Sequence, residues 1–227
     1  MKRKFQLSAS LICGTHLAFG EDIAMLEKAG IDALHFDVMD GMFVPRFGFY
    51  PELLKAIRGK TKLPIDAHLM IERPEKYVQL FVEAGADIVV PHAESTRHLD
   101  RTVRLIKEAG GRAGVALNPA TPLSVLEYVL PDIELVMLMA INPGIVGHKL
   151  IPQAIQKIAD MREMLQPYPK IKIEIDGGVS PESAAKMISA GADILVCGTS
   201  SIYKKDVPLS KKVPEFRKLI EKELGKL

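Results

Sequence analysis

The chain has 227 residues, 48% of them hydrophobic and 26% charged, with a formal net charge of +2. That length and apolar content suit a single domain, 1–227, with an ample core. Beyond "KRK" at the start the basic residues are scattered, and only 6% of the chain is aromatic, so nucleic acid is excluded as an expected partner.

The opening "MKRKFQLSASLICGTHLAFG" places basic residues before a mildly apolar run. Gln6, Ser8, Ser10, Thr15 and His16 interrupt that run, and no small-x-small cleavage site follows, so it is not read as a signal peptide. No segment reaches the roughly 20 apolar residues that span a bilayer. Cys13 and Cys197 stand in no metal or redox spacing, as in a cytosolic chain with two free thiols. The expectation is a cytoplasmic protein without membrane contact.

Strand-like runs follow one another as FQLSASL, ALHFDVM, PIDAHLM, DIVVPHA, RAGVALN, LVMLMAI, IKIEIDG and DILVCGT. Between them the apolar spacing predicts helices near 20–29, 51–58, 74–84, 97–109, 122–130, 152–166 and 180–190, with a last one near 211–225. "SPESAAKMI", from Ser180, carries the polar cap and early acid of a helix N-terminus. Three junctions resemble one another: "LEKAGIDALHFDV", "FVEAGADIVVPHA" and "MISAGADILVCGT", with "IKEAGGRAGVALN" as a looser fourth copy. Each has a glycine where a helix ends, the residue that best accepts a left-handed backbone. Strand–helix alternation repeated eight times predicts a parallel eight-stranded (β/α)8 TIM barrel. An open doubly wound sheet is the alternative, weakened because no Gly-rich dinucleotide turn follows the first strand.

In such a barrel, chemistry collects at the C-terminal ends of the strands. Side chains two apart share a face, so His35 and Asp37 point inward from strand 2, as do Asp66, His68 and Met70 from strand 3. Asp176 ends strand 7, two residues after Glu174. Imidazoles and carboxylates converging on one mouth suit a divalent ion such as zinc, iron, cobalt or manganese, and mixed nitrogen and oxygen donors do not choose among these. His92 ends strand 4 and faces either the substrate or the layer behind the site; His16 and His98 are expected on loops or the surface. Gly177 and Gly178 follow strand 7, and Gly198, Thr199 and Ser200 follow strand 8, the two loops that cradle phosphate in this fold. Gly144 and Gly147 form a further lip after strand 6.

The combination "HFDVMDGMFVP", "DAHLM…RPE", "INPG", "EIDGGV" and "CGTSSIY" resembles the ribulose-phosphate 3-epimerase family, which includes allulose-6-phosphate 3-epimerase, over about Ser8 to Tyr203. The resemblance implies a barrel holding one divalent metal ion per chain through His35, Asp37, His68 and Asp176. It implies Asp37 and Asp176 as the acid–base pair, Ser10 and His68 in contact with substrate, and Met39, Met70 and Met139 as walls. The implied reaction inverts carbon 3 of a sugar phosphate, most often ribulose 5-phosphate. Alternatives are another ketose phosphate, such as allulose 6-phosphate, or a silent sugar-phosphate binder. Related phosphate-binding decarboxylases use a lysine two residues after the strand 3 aspartate, where this chain has His68. The chain departs from the family at Arg46, where asparagine is usual, and at Val146 and His148, in a loop that is usually richer in glycine. A homo-oligomer is expected by analogy only.

Overall fold

The computed structural model describes residues 5–144, 149–203 and 207–226. Eight strands close into one parallel barrel: β1 (Gln6–Ser10), β2 (Ala33–Met39), β3 (Ile65–Met70), β4 (Ile88–Pro91), β5 (Arg112–Leu117), β6 (Leu135–Met139), β7 (Lys172–Asp176) and β8 (Ile194–Cys197). The ring is sealed where Gln6, Leu7, Ser8 and Ala9 of β1 lie beside Ile194, Leu195, Val196 and Cys197 of β8. Seven α-helices among the described residues cover it: α1 (Phe19–Ala29), α2 (Pro51–Arg58), α3 (Val78–Glu83), α4 (Leu99–Glu108), α5 (Gln153–Met164), α6 (Pro181–Ala190) and α7 (Leu209–Leu224).

Two helical expectations are corrected. Residues 122–130 form no α-helix: 3-10 turns at Leu123–Leu126 and Leu130–Asp132 replace it. Leu126, Val129 and Leu130 are buried with helical spacing, but Pro122 and Pro131 bracket a stretch too short to offset the cost of helix nucleation. The stretch 74–84 divides into a 3-10 turn at Pro74–Lys76 and α3, broken at Tyr77, whose φ of −124° is not helical.

The repeated junctions have a shared structural cause. Asp32, Asp87 and Asp193 each use Oδ2 to accept the amide of the preceding strand's residue, from Leu7, Ile65 and Ile173, at 2.9, 2.8 and 2.9 Å. The same oxygens pair with Arg217, Arg58 and Arg162. Gly30, Gly85 and Gly191 before them all have positive φ. These ties lie at the N-terminal ends of the strands, the end of a barrel that serves stability.

Alternation separates two cores. Leu7, Ala9, Leu34, Phe36 and Val38 face outward into the layer under the helices. The barrel interior is divided: Val90, Ala116, Leu135, Met137 and Met139 from β4–β6 make an apolar half. Ser8, Ser10, His35, Asp37, Asp66, His68 and Glu174, from β1–β3 and β7, are buried and polar. Burying so many polar groups together is costly unless they are paired with one another or with an ion.

Candidate active site

Register sets the site. Ser10 lies beside His35, His35 beside Asp66, Asp37 beside His68, and Met139 beside Asp176. Strand ends are therefore level, and His35, Asp37, His68 and Asp176 each bring one donor atom to within 4.8 Å of the others. His35 Nε2 is 3.3 Å from Asp37 Oδ1; His68 Nδ1 is 4.0 Å from Asp37 Oδ1 and 3.8 Å from Asp176 Oδ2. Both imidazoles are 0% exposed, and His35 Nε2 and His68 Nδ1 have no hydrogen-bond partner. Two buried, orphaned nitrogens facing two carboxylates are what a divalent cation would satisfy, so the donor set fits the metal that the resemblance implies.

The layer behind these atoms fixes their aim. His35 Nδ1 lies 2.5 Å from Asp66 Oδ1, and Ser8 donates its hydroxyl to Asp66 Oδ2 at 3.3 Å. His68 Nε2 lies 2.8 Å from His92 Nε2, and His92 Nδ1 lies 3.0 Å from Glu94 Oε2. Ser10 donates to Asp37 Oδ2 at 2.8 Å, so the two oxygens of Asp37 face different partners.

Charge follows the same map. Burial works against charge on His35, but the Asp66 and Asp37 carboxylates outweigh it and raise the imidazole well above its ordinary value. Burial, with His92 and His35 adding, holds His68 well below and so neutral. Asp176 is pushed up to about 7, chiefly by burial, with Asp37 and Asp66 adding to it and His35 and the Gly177 amide opposing. Burial and the Asp66 carboxylate drive Glu174 well above the carboxylate range, leaving a neutral acid beneath the site.

Above lies a cavity of about 520 Å3, lined by Ser10, Asp37, Met39, Met70, Met139 and Asp176 and by both expected phosphate loops, Gly177, Gly178, Gly198, Thr199 and Ser200. Gly144 and Arg46 also line it, whereas Gly147, Val146 and His148 lie outside the described residues. Asp176 is 18% exposed and faces the cavity; His68, expected also to touch substrate, sits behind the carboxylates and does not line it. Gly177 has φ +96°, and a Cβ there would stand 2.3 Å from Ile141 Cγ1, so the close turn needs glycine. Ser180 caps α6 with a reciprocal pair to Ser183, placing that helix's N-terminus at the rim.

His92 is fully buried behind His68 and does not face the cavity, while His16 and His98 are exposed. Sequence reasoning missed Glu94; its signal was the His-x-Glu spacing at the end of β4. It also missed Cys13, beside Ser10 at 3.7 Å, and the rim lysines Lys149 and Lys186.

Comparison with known proteins bears on this geometry. Residues 6–203 match the family model described as the Ribulose-phosphate 3 epimerase family. The chain is 46% identical over 200 residues to the ribulose-phosphate 3-epimerase of Bacillus subtilis, covering 87% of this chain and 92% of that one. It is 46% identical over 207 residues to the chloroplastic ribulose-5-phosphate-3-epimerase of Arabidopsis thaliana, covering 88% and 72%. Among solved structures, KGPDC from Streptococcus mutans superposes with a TM-score of 0.73 at 12% identity, covering 96% and 98%, a likeness of fold. Among the described residues no helix is long and apolar enough to cross a membrane.

Proposed function

The chain belongs to the ribulose-phosphate 3-epimerase family, and from that premise we propose that it interconverts ribulose 5-phosphate and xylulose 5-phosphate by moving a proton on and off carbon 3. It is an isomerase, a carbohydrate-phosphate epimerase. One observation carries the finer reading. Asp37 and Asp176, from β2 and β7, reach the floor of one cavity with an oxygen each beside two orphaned imidazole nitrogens.

The proton on carbon 3 is weakly acidic, being α to a ketone, so its removal needs charge stabilisation. One divalent ion held by His35, Asp37, His68 and Asp176 would supply that as a Lewis acid. Asp37 takes the proton from one epimer while Asp176 returns one from the other side, and the roles exchange in the reverse direction. Ser10 pins Asp37 Oδ2 and keeps the carboxylate turned to the cavity. Met39, Met70 and Met139, each nearly fully buried, wall the reacting carbon from water. Backbone of the β7 and β8 loops holds the phosphate, which fixes carbon 3 between the two aspartates.

The test is incubation of ribulose 5-phosphate with the protein in heavy water. Xylulose 5-phosphate should appear with deuterium at carbon 3, and absence of both exchange and product overturns the reading.

A further inference from the structure

The geometry points to a positioning relay, Glu94–His92–His68, that fixes the tautomer of His68 so that its Nδ1 lone pair, and not a proton, faces the cation site. It rests on the metal reading given above, and it follows from counting hydrogens outward from Glu94.

Glu94 stands on the 3-10 turn Ala93–Ser95 beyond β4. Its Oε1 accepts the Asn118 amide at 2.7 Å and the Thr121 hydroxyl, and its Oε2 faces His92 Nδ1 at 3.0 Å. Burial pushes this carboxyl up, but the hydrogen bonds from His92, Thr121 and Asn118 outweigh it and hold it at about 2. An ionised carboxylate only accepts, so His92 Nδ1 carries its hydrogen. The two Nε2 atoms lie 2.8 Å apart with room for one hydrogen between them, so His92, its Nδ1–H committed to Glu94, accepts at Nε2 and His68 Nε2 donates. With its hydrogen on Nε2, His68 presents Nδ1 as a bare lone pair, buried and without a hydrogen-bond partner.

Packing prevents these rings from turning. His92 and His68 meet edge to edge, with centroids 5.0 Å apart and an interplanar angle of 24°, and Phe43 covers His92 at 4.9 Å. The Asn118–Thr121 loop is tied down by Lys157 Nζ of α5, which donates to the carbonyls of Asn118, Pro119 and Thr121 at 2.7, 3.2 and 2.7 Å. The relay thus runs from the outer helix layer to the barrel axis. Glu94 and His92 do not line the cavity, so they are positioning residues and not catalytic ones.

Glu94→Gln tests it with little change of shape. If the carboxamide oxygen keeps the Asn118 and Thr121 hydrogens, the amide nitrogen faces His92 Nδ1 and reverses both rings, turning a hydrogen on His68 Nδ1 toward the site. Imidazole nitrogen NMR on metal-free protein should show His68 with Nε2–H in the wild type and with Nδ1–H in Glu94→Gln. Zinc affinity, measured against a chromophoric chelator, should fall by about 10- to 100-fold, and the visible spectrum of the cobalt-loaded protein should change. His92→Phe, which keeps a ring but neither hydrogen bond, should fall likewise, and His92→Gln, which can accept and donate, should recover most of the loss.

Wild-type His68 in the Nδ1–H form overturns the relay. So does a zinc affinity in Glu94→Gln and His92→Phe within about twofold of wild type. If the wild type binds no divalent ion at all, the metal reading fails instead, and the NMR tautomers still decide the relay.

Discussion

His35 commits its Nδ1 to Asp66 Oδ1 at 2.5 Å, which leaves its Nε2 facing Asp37 Oδ1 at 3.3 Å without a hydrogen bond. One ring nitrogen is thus held from below by a buried carboxylate while the other is aimed at the cluster. Without a cation, the Asp66 and Asp37 carboxylates draw a proton onto this ring against the cost of burial. A divalent ion held there would supply that positive charge instead.

The purified protein is therefore expected to carry about one divalent ion per chain, given four converging donors. A chelator should abolish activity and lower the melting temperature, because an ion bound only by the folded state stabilises it by mass action. His68→Ala should bind the ion far more weakly. Elemental analysis together with thermal unfolding checks this, and full activity in a metal-free sample would refute it.

The two aspartates should act as a pair. Asp37→Asn and Asp176→Asn are each expected to lower turnover by about 10²- to 10⁴-fold, the range of general acid–base catalysis, with the fold intact. Metal content must be measured alongside, since each residue also belongs to the donor set. A variant that keeps its ion and turns over at the wild-type rate removes that aspartate from the mechanism.

Much of this was legible because both periods are strict. Alternation along "LHFDVM" and "IDAHLM" placed His35, Asp37, Asp66 and His68 on one face, and the barrel's level strand ends brought them together. The helix expected at 122–130 failed because Leu126, Val129 and Leu130 carry helical spacing for a reason other than helix: they pack under a loop bracketed by prolines. Glu94 was hidden because its partners, Asn118 and Thr121, are distant in sequence and meet it only when β4 and β5 pair.

The phosphate loops give a third expectation. Backbone amides at Gly177, Gly178, Gly198 and Thr199 grip a dianion far better than a hydroxymethyl group, and that remote binding energy supports the chemical step. Unphosphorylated ribulose should have a far lower kcat/KM than ribulose 5-phosphate. Gly177→Ala should weaken phosphate binding, because its backbone is left-handed and its Cβ would press on Ile141. Comparable rates with and without the phosphate remove the cradle from the account.

Glu94 sets an acid limit on stability. Its carboxyl is held at about 2, below the ordinary 4.5, so the folded state gains stability that is complete above about pH 5 and lost as pH falls toward 2. Urea unfolding of metal-free wild type and Glu94→Gln should show a stability gap near neutrality that closes toward pH 2. A gap independent of pH would mean that ionisation of Glu94 contributes nothing.

Arg46 bears on substrate choice. It stands in the loop after β2, and its backbone is fixed by the Gly41 amide to Arg46 oxygen bond at 3.0 Å and the Asp40–Phe47 bridge beside it. Its side chain lines the cavity from the β2 side, while the phosphate loops belong to β7 and β8. An arginine fork there would address the part of a substrate away from that cradle, where it could pair with an anionic or polar end group in a way that asparagine cannot. Arg46→Asn is therefore expected to change the order of kcat/KM among tetrulose, pentulose and hexulose phosphates while leaving metal content unchanged. The wild type and the variant should be assayed side by side over that panel. If ribulose 5-phosphate is the best substrate of the wild type and the variant keeps the same ranking, Arg46 has no part in specificity.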